Sequence, residues 1–125
     1  MIFDTDVLIW VQRGNLKAAH LIESTYPREI SALTYMELLQ KAENKKQHVY
    51  VKNFLTDFEF SLIPLSEAIG HRALVYVEEY SLVNGLSAAD AMIAATAVER
   101  NSELVSANVK HYKMIKDLKL VIFKP

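Results

Sequence analysis

Cysteine is absent from the chain, which excludes disulfide frameworks, Cys-ligated zinc and thiol nucleophiles. Any catalysis has to come from carboxylates, hydroxyls or imidazoles. Proline and glycine are scarce, three of each and scattered, so no linker, repeat or low-complexity tract interrupts the chain. No hydrophobic run approaches the roughly 20 residues of a membrane span. The opening Met1-Ile2-Phe3-Asp4 meets a charge before the apolar region of a signal peptide could form. The expectation is a cytoplasmic protein with no membrane association. Nor does one sign of charge dominate: 14 Lys+Arg face 15 Asp+Glu, a formal −1. Bulk electrostatics therefore do not advertise a nucleic-acid binder, although bound divalent cations can supply positive charge where phosphate docks.

What is present is 125 residues, 51% of them hydrophobic, enough for the core of one domain spanning residues 1–125. Short apolar or β-rich runs at Met1–Asp4, Glu29–Ser31, Phe60–Ile63, Glu103–Ser106 and Leu120–Phe123 predict buried strands. Helical patterns fill the intervals at Thr5–Arg13, Leu16–Tyr26, Thr34–Lys45, Val49–Asp57, Ser66–Tyr80 and Ser87–Arg100, with a short one near Lys110–Lys116. Alternating strands and helices imply an α/β domain whose five-stranded open parallel sheet is covered on both faces. Such a sheet binds ligands outside the carboxyl ends of its strands, near the point where strand order reverses.

Three acids pass that geometric test. Asp4 ends the first strand, Glu37 is expected in the first turn after the second, and Asp90 in the first turn of the helix feeding the fourth. Asn108, just past Ser106, lands at the same edge. Oxygen-only donors without Cys or His suit Mg²⁺ or Mn²⁺ rather than zinc. Each acid also has a structural alternative: Thr34-x-x-Glu37 and Ser87-x-x-Asp90 match capping boxes, and Asp4 and Asp6 could cap the first helix. Asp90 lies in a helix apolar nearly all round, where an unpartnered carboxylate is costly. One shared site explains all three with fewer coincidences. Of the histidines, His20, His48 and His71 read as ordinary helix residues, and only His111 falls near the candidate edge. Lys41, Lys45 and Lys46, and separately Lys110, Lys113 and Lys116, could steer a phosphate backbone or simply face solvent.

Four segments together resemble the PIN-domain family, and within it the VapC-like toxins: Ile2-Phe3-Asp4-Thr5-Asp6-Val7-Leu8-Ile9, Ile30 through Leu39, Leu86 through Ala97, and Leu104 through Tyr112. The resemblance spans essentially the whole chain. It implies a sheet of order 3-2-1-4-5 and a Mg²⁺ or Mn²⁺ cluster on Asp4, Glu37 and Asp90, with Asn108 at a fourth, variable position. It further implies hydrolysis of RNA to 3′-hydroxyl and 5′-phosphate ends, inhibition by a small VapB-like antitoxin, and a homodimer. Ser106 and Asn108 would orient the metal or its waters. Asp6 stands where the family often has Asn, and Asn108 where many members have Asp.

Two other classes share features. Asp4-Thr5-Asp6-Val7-Leu8 resembles the opening motif of haloacid-dehalogenase-type phosphatases, with Asp4 as nucleophile; their later acidic pair is missing. Asp4, Asp6, Ser106 and Lys124 mimic a phospho-receiver module, but Phe60-Ser61-Leu62-Ile63-Pro64-Leu65 lacks the acceptor aspartate at the end of the third strand. Within the motif segments no Lys or Arg is placed to neutralise the acids, so an antitoxin arginine is expected to enter their pocket. The antitoxin is expected over the helices between Thr34 and Asp57. There Val51, Phe54, Leu55 and Phe58 either receive a partner helix or pack on the domain's own core.

Overall fold

The computed structural model describes residues 1–125. Its strands are β1 (Ile2–Phe3), β2 (Arg28–Ser31), β3 (Phe60–Ile63), β4 (Leu104–Ser106) and β5 (Leu120–Ile122). All pair in parallel in the order β3-β2-β1-β4-β5. The helices are α1 (Thr5–Gln12), α2 (Leu16–Glu23), α3 (Ala32–Lys41), α4 (Lys45–Asp57), α5 (Glu67–Asn84), α6 (Ala88–Glu99) and α7 (Val109–Tyr112). This is the α/β architecture and strand order expected. It also removes the receiver reading, whose sheet runs 2-1-3-4-5: here β3 is an edge strand.

Side chains alternate across β1, so Ile2 enters one core and Phe3 the other; Leu104 and Val105 of β4 divide in the same way. From β1 the chain adds β2 and β3 on one side, then crosses back to add β4 and β5 on the other. Crossovers of one hand, travelling in opposite directions, place their helices on opposite faces. Accordingly α1 to α4 cover the Phe3 face through Val7, Leu8, Ile22, Leu38, Val51 and Leu55. Helices α5 to α7 cover the Ile2 face through Ile69, Tyr76, Ile93 and Tyr112. Strand order reverses beside β1, and the carboxyl ends of β1 and β4 open there.

Helix starts are written locally. Asp4, Asn15, Ser31, Asn44, Ser66 and Ser87 each accept a backbone N–H at the head of α1 to α6. Several boundaries differ from the sequence reading: α2 stops at Glu23 rather than Tyr26, α5 runs on to Asn84 rather than Tyr80, and α7 is only Val109–Tyr112. The differences at α3 and α4 bear on the site. Helix α3 begins at Ala32, capped by Ser31, because the last residue of β2 is itself a capping residue and no loop intervenes. Thr34 is therefore inside the helix and Glu37 lies in its second turn, not its first. The chain then breaks at Ala42–Asn44, and α4 starts at Lys45 rather than Val49. Val51 and Leu55 are buried, with Phe54 and Phe58 packed beside them, so this set serves the domain's own core and is not a free partner surface.

Candidate active site

Asp4, Asp6, Glu37, Asp90 and Asn108 line one crevice of ≈ 150 Å³ together with Thr5, Ile9 and Lys41. Four separate stretches of sequence meet there, because the passage from β1 into α1, the helices α3 and α6, and the turn after β4 all reach the carboxyl edge. Ser106 lies immediately beneath. Larger cavities exist, the widest of ≈ 550 Å³ around Arg72. There Arg72 already binds Glu99 and Asp117, and Tyr76 donates to Asp117. Chemistry singles out the smaller crevice, where carboxylates face one another without such pairing.

Asp4 is almost fully buried and is held from two sides. Its Oδ1 accepts from the Thr5 amide at 2.8 Å and its Oδ2 from Ser106 Oγ at 2.7 Å. Burial, followed by the nearby charge of Asp6, pushes its pKa up to about 7; the Ser106 hydroxyl pulls the other way and Asp90 adds to the rise. Asp6 accepts from the Ala107 amide at 3.0 Å, and burial again raises its pKa while the Ala107 and Val7 amides oppose the rise. Its second oxygen, Oδ1, is buried without any partner. An unmatched carboxylate oxygen among other carboxylates is a demand for a cation.

Glu37 does not cap its helix. Its Oε1 accepts from Thr5 Oγ1 at 2.5 Å, and Thr5 Oγ1 lies 3.1 Å from the buried Thr34 hydroxyl. Asp90 keeps half of the expected capping box, since Ser87 Oγ accepts its amide at 3.1 Å. Its carboxylate turns instead to the crevice, accepting from Tyr112 Oη at 3.3 Å and lying 3.0 Å from His111 Nδ1. Burial, then the charges of Asp4 and Asp90, push the Tyr112 phenol far above its ordinary range, so it remains a proton donor. Asn108 heads α7 without using its side chain as a cap; its Nδ2 is 2.9 Å from the same His111 Nδ1. That nitrogen can serve only one of its two neighbours at a time.

Sequence reasoning thus placed Asp4, Glu37, Asp90 and Asn108 at one edge, with Asp6 and Ser106 behind Asp4. It missed Thr5 and Tyr112, each seated against a carboxylate across the fold. Lys41, which the sequence offered as a phosphate-steering residue, lies one turn beyond Glu37, just past the Ile30–Leu39 segment, and lines the crevice. Oxygen donors, raised carboxylate pKa values and the orphaned Asp6 oxygen fit a hard divalent cation. As placed, no three acidic or histidine side chains close on a single point; Glu37 and Asp90 are drawn aside by Thr5 and by His111 and Tyr112.

A PIN-domain family model matches residues 1–116, and the chain belongs to that family. A chain of a toxin–antitoxin complex from Klebsiella pneumoniae is 30% identical with a TM-score of 0.81, covering 96% of this chain and 94% of that one. VapBC2 from Rickettsia felis, bound to a DNA fragment from its promoter, contains a chain 22% identical, TM-score 0.76, covering 99% of this chain and 100% of that one. VapBC-1 from nontypeable Haemophilus influenzae contains another, 22% identical, TM-score 0.76, with 98% of each covered. These two share the fold. No curated protein matches significantly.

Proposed function

We infer that the chain is a Mg²⁺- or Mn²⁺-dependent endoribonuclease and the toxin member of a type II toxin–antitoxin pair. The observation that carries the enzymatic reading is the meeting of Asp4, Asp6, Glu37, Asp90 and Asn108 in one crevice. Family membership and the 30% likeness to a chain of a toxin–antitoxin complex support the biological role. Asp4, Glu37 and Asp90 would hold the ion, with Asn108 as a neutral oxygen donor. A bound divalent cation supplies Lewis-acid polarisation of a phosphoryl oxygen and a water of lowered pKa.

The chain's own residues set the rest. Ser106 orients Asp4, and Thr5 orients Glu37. Both hydroxyls are buried and hold a carboxylate in place, so water is taken as the attacking group. Lys41 offers the crevice a positive charge for the phosphate. A phosphatase reading with Asp4 as nucleophile fares worse, because both Asp4 oxygens are already engaged by Thr5 and Ser106.

The test is cleavage of RNA and of a DNA of matched sequence. Wild type with Mn²⁺ should cut the RNA; EDTA, Asp4→Asn, Glu37→Gln and Asp90→Asn should each reduce the rate about 100-fold or more. Cleavage that survives EDTA, or that persists in Asp90→Asn, would overturn the metal reading. Adding the protein encoded by a short neighbouring reading frame should suppress cleavage, and excess Mn²⁺ should weaken that suppression if a basic side chain enters the acidic crevice.

A further inference from the structure

Beside the acidic crevice lies a second cleft of ≈ 270 Å³, lined among others by Gln12, Lys41, Gln47 and Tyr50. Lys41 lines both, so a cation stands between the two. The surrounding segment is unlike the rest of the chain in charge: between residues 41 and 52 four lysines stand against a single glutamate, in a protein of net charge −1. Tyr50 is 51% exposed and stacks on Phe54, ring centroids 6.4 Å apart. It presents an aromatic face to the cleft.

The junction that carries these groups is built rather than loose. Asn44 caps α4 by accepting the Gln47 amide, and Gln47 Oε1 accepts the Glu43 amide at 2.7 Å. His48 Nε2 contacts the Leu39 carbonyl at 2.8 Å, tying α4 to the end of α3. Gln47 keeps its amide nitrogen free, and Gln12 makes no side-chain hydrogen bond. Two amide edges, one aromatic plane and one cation are the groups that hold an unpaired base next to a phosphate.

We propose that this cleft is a nucleobase subsite for single-stranded RNA, in which Tyr50 stacks a base next to the scissile phosphate and Lys41 bridges the two. The proposal rests on the nuclease reading and deepens it. Gln12 and Gln47 then face the edge of the stacked base and bias which base is accepted, while Lys45 and Lys46 follow the flanking phosphates. Duplex RNA is excluded, because its bases are not available to stack.

The test uses the full chain, a short single-stranded oligoribonucleotide carrying 2-aminopurine, and bis-p-nitrophenyl phosphate as a diester without a base. Binding is measured with Ca²⁺ in place of Mn²⁺. Tyr50→Leu should weaken RNA binding about tenfold and abolish the quenching of 2-aminopurine, whereas Tyr50→Phe should keep both. All three proteins should hydrolyse the base-free diester alike and melt together by circular dichroism. Lys41→Gln should lower the salt slope of binding by about one. Wild-type RNA affinity in Tyr50→Leu overturns the subsite while diester hydrolysis keeps the nuclease reading. Loss of diester hydrolysis and of RNA cleavage in the wild type overturns that reading itself. RNA binding indifferent to Tyr50, with loss of capture of a partner protein by Tyr50→Leu, would make the cleft a protein-docking surface and refute the subsite.

Discussion

Ser106 Oγ donates a 2.7 Å hydrogen bond to Asp4 Oδ2, joining the ends of two adjacent parallel strands across 102 positions of sequence. Asp6 Oδ2 lies farther away, at 3.4 Å from the same hydroxyl. One proton cannot satisfy both, so the geometry assigns it to Asp4. The same oxygen accepts the Asn108 amide at 2.9 Å, which couples the position of Asn108 to that of Asp4.

Ser106→Ala should therefore act on the site and on the fold together. Ser106 is fully buried, and its loss strips Asp4 of one of two donors and leaves the Asn108 amide unmatched. A cost of about 1–3 kcal/mol is expected from the unsatisfied buried groups, read as a lower midpoint in denaturant. Mn²⁺ affinity, measured by calorimetry, should fall as well, since Asp4 is no longer held in place. Unchanged affinity would show that Ser106 does not position Asp4.

The raised pKa of Asp4 makes metal-free stability depend on pH in a definite direction. A carboxyl whose folded-state pKa is about 7, against an ordinary 3.8, holds its proton in the folded state where the unfolded chain has released it. The folded state binds more protons between those values, so stability falls as pH rises from about 4 to 7 and levels off beyond. Metal-free wild type should melt lower at pH 7.5 than at pH 5, and Asp4→Asn should flatten that difference. Saturating Mn²⁺ should reverse it by binding the ionised site. A wild-type melting temperature that climbs between pH 5 and 7.5 without metal would contradict the crowding of Asp4 by burial, Asp6 and Asp90.

Much of this was legible in the chain. All five strands fall within a residue of their sequence positions, and most are short apolar or β-branched runs. Asp4 and Asn108 could be located from strand ends, and Asp90 from a charge in an otherwise apolar helix. Helix α3 was misplaced because Ser31 and Thr34 are both good caps, and only the direct passage from β2 into the helix decides between them. The contacts Thr5–Glu37 and Tyr112–Asp90 left no trace in spacing. They depend on how α1 packs against α3 and α7 against α6, which periodicity does not encode.

Thr5 tests the first of those contacts. Thr5→Val keeps the shape and the β-branch in α1 but removes the hydroxyl that binds Glu37 and meets Thr34. Because Ser31 and not Thr34 caps α3, the substitution should leave α3 formed and cost only about 1 kcal/mol. Freed from Thr5, Glu37 should still reach a cation but with less preorganisation, lowering Mn²⁺ affinity and cleavage by roughly 10-fold or more. A large loss of helical signal would instead return Glu37 and Thr34 to a structural role.

Asp90 discriminates between a capping residue and a member of the site. Helix α6 is started by Ser87, which accepts the Asp90 amide whatever side chain follows. The Asp90 carboxylate spends itself on Tyr112 and His111 and adds negative charge beside Asp4. Asparagine keeps an oxygen for the Tyr112 hydroxyl and offers its amide to a neutral His111 Nδ1, while deleting the charge. Metal-free Asp90→Asn should thus be as stable as wild type or more so. Asp90→Ala, which strands the buried Tyr112 hydroxyl, should lose about 1–3 kcal/mol, several degrees in melting temperature. Both variants should bind Mn²⁺ weakly and cleave little. If Asp90→Asn melts as low as Asp90→Ala, the carboxylate is a structural anchor of α6 and α7, and its charge is not held in reserve for a cation.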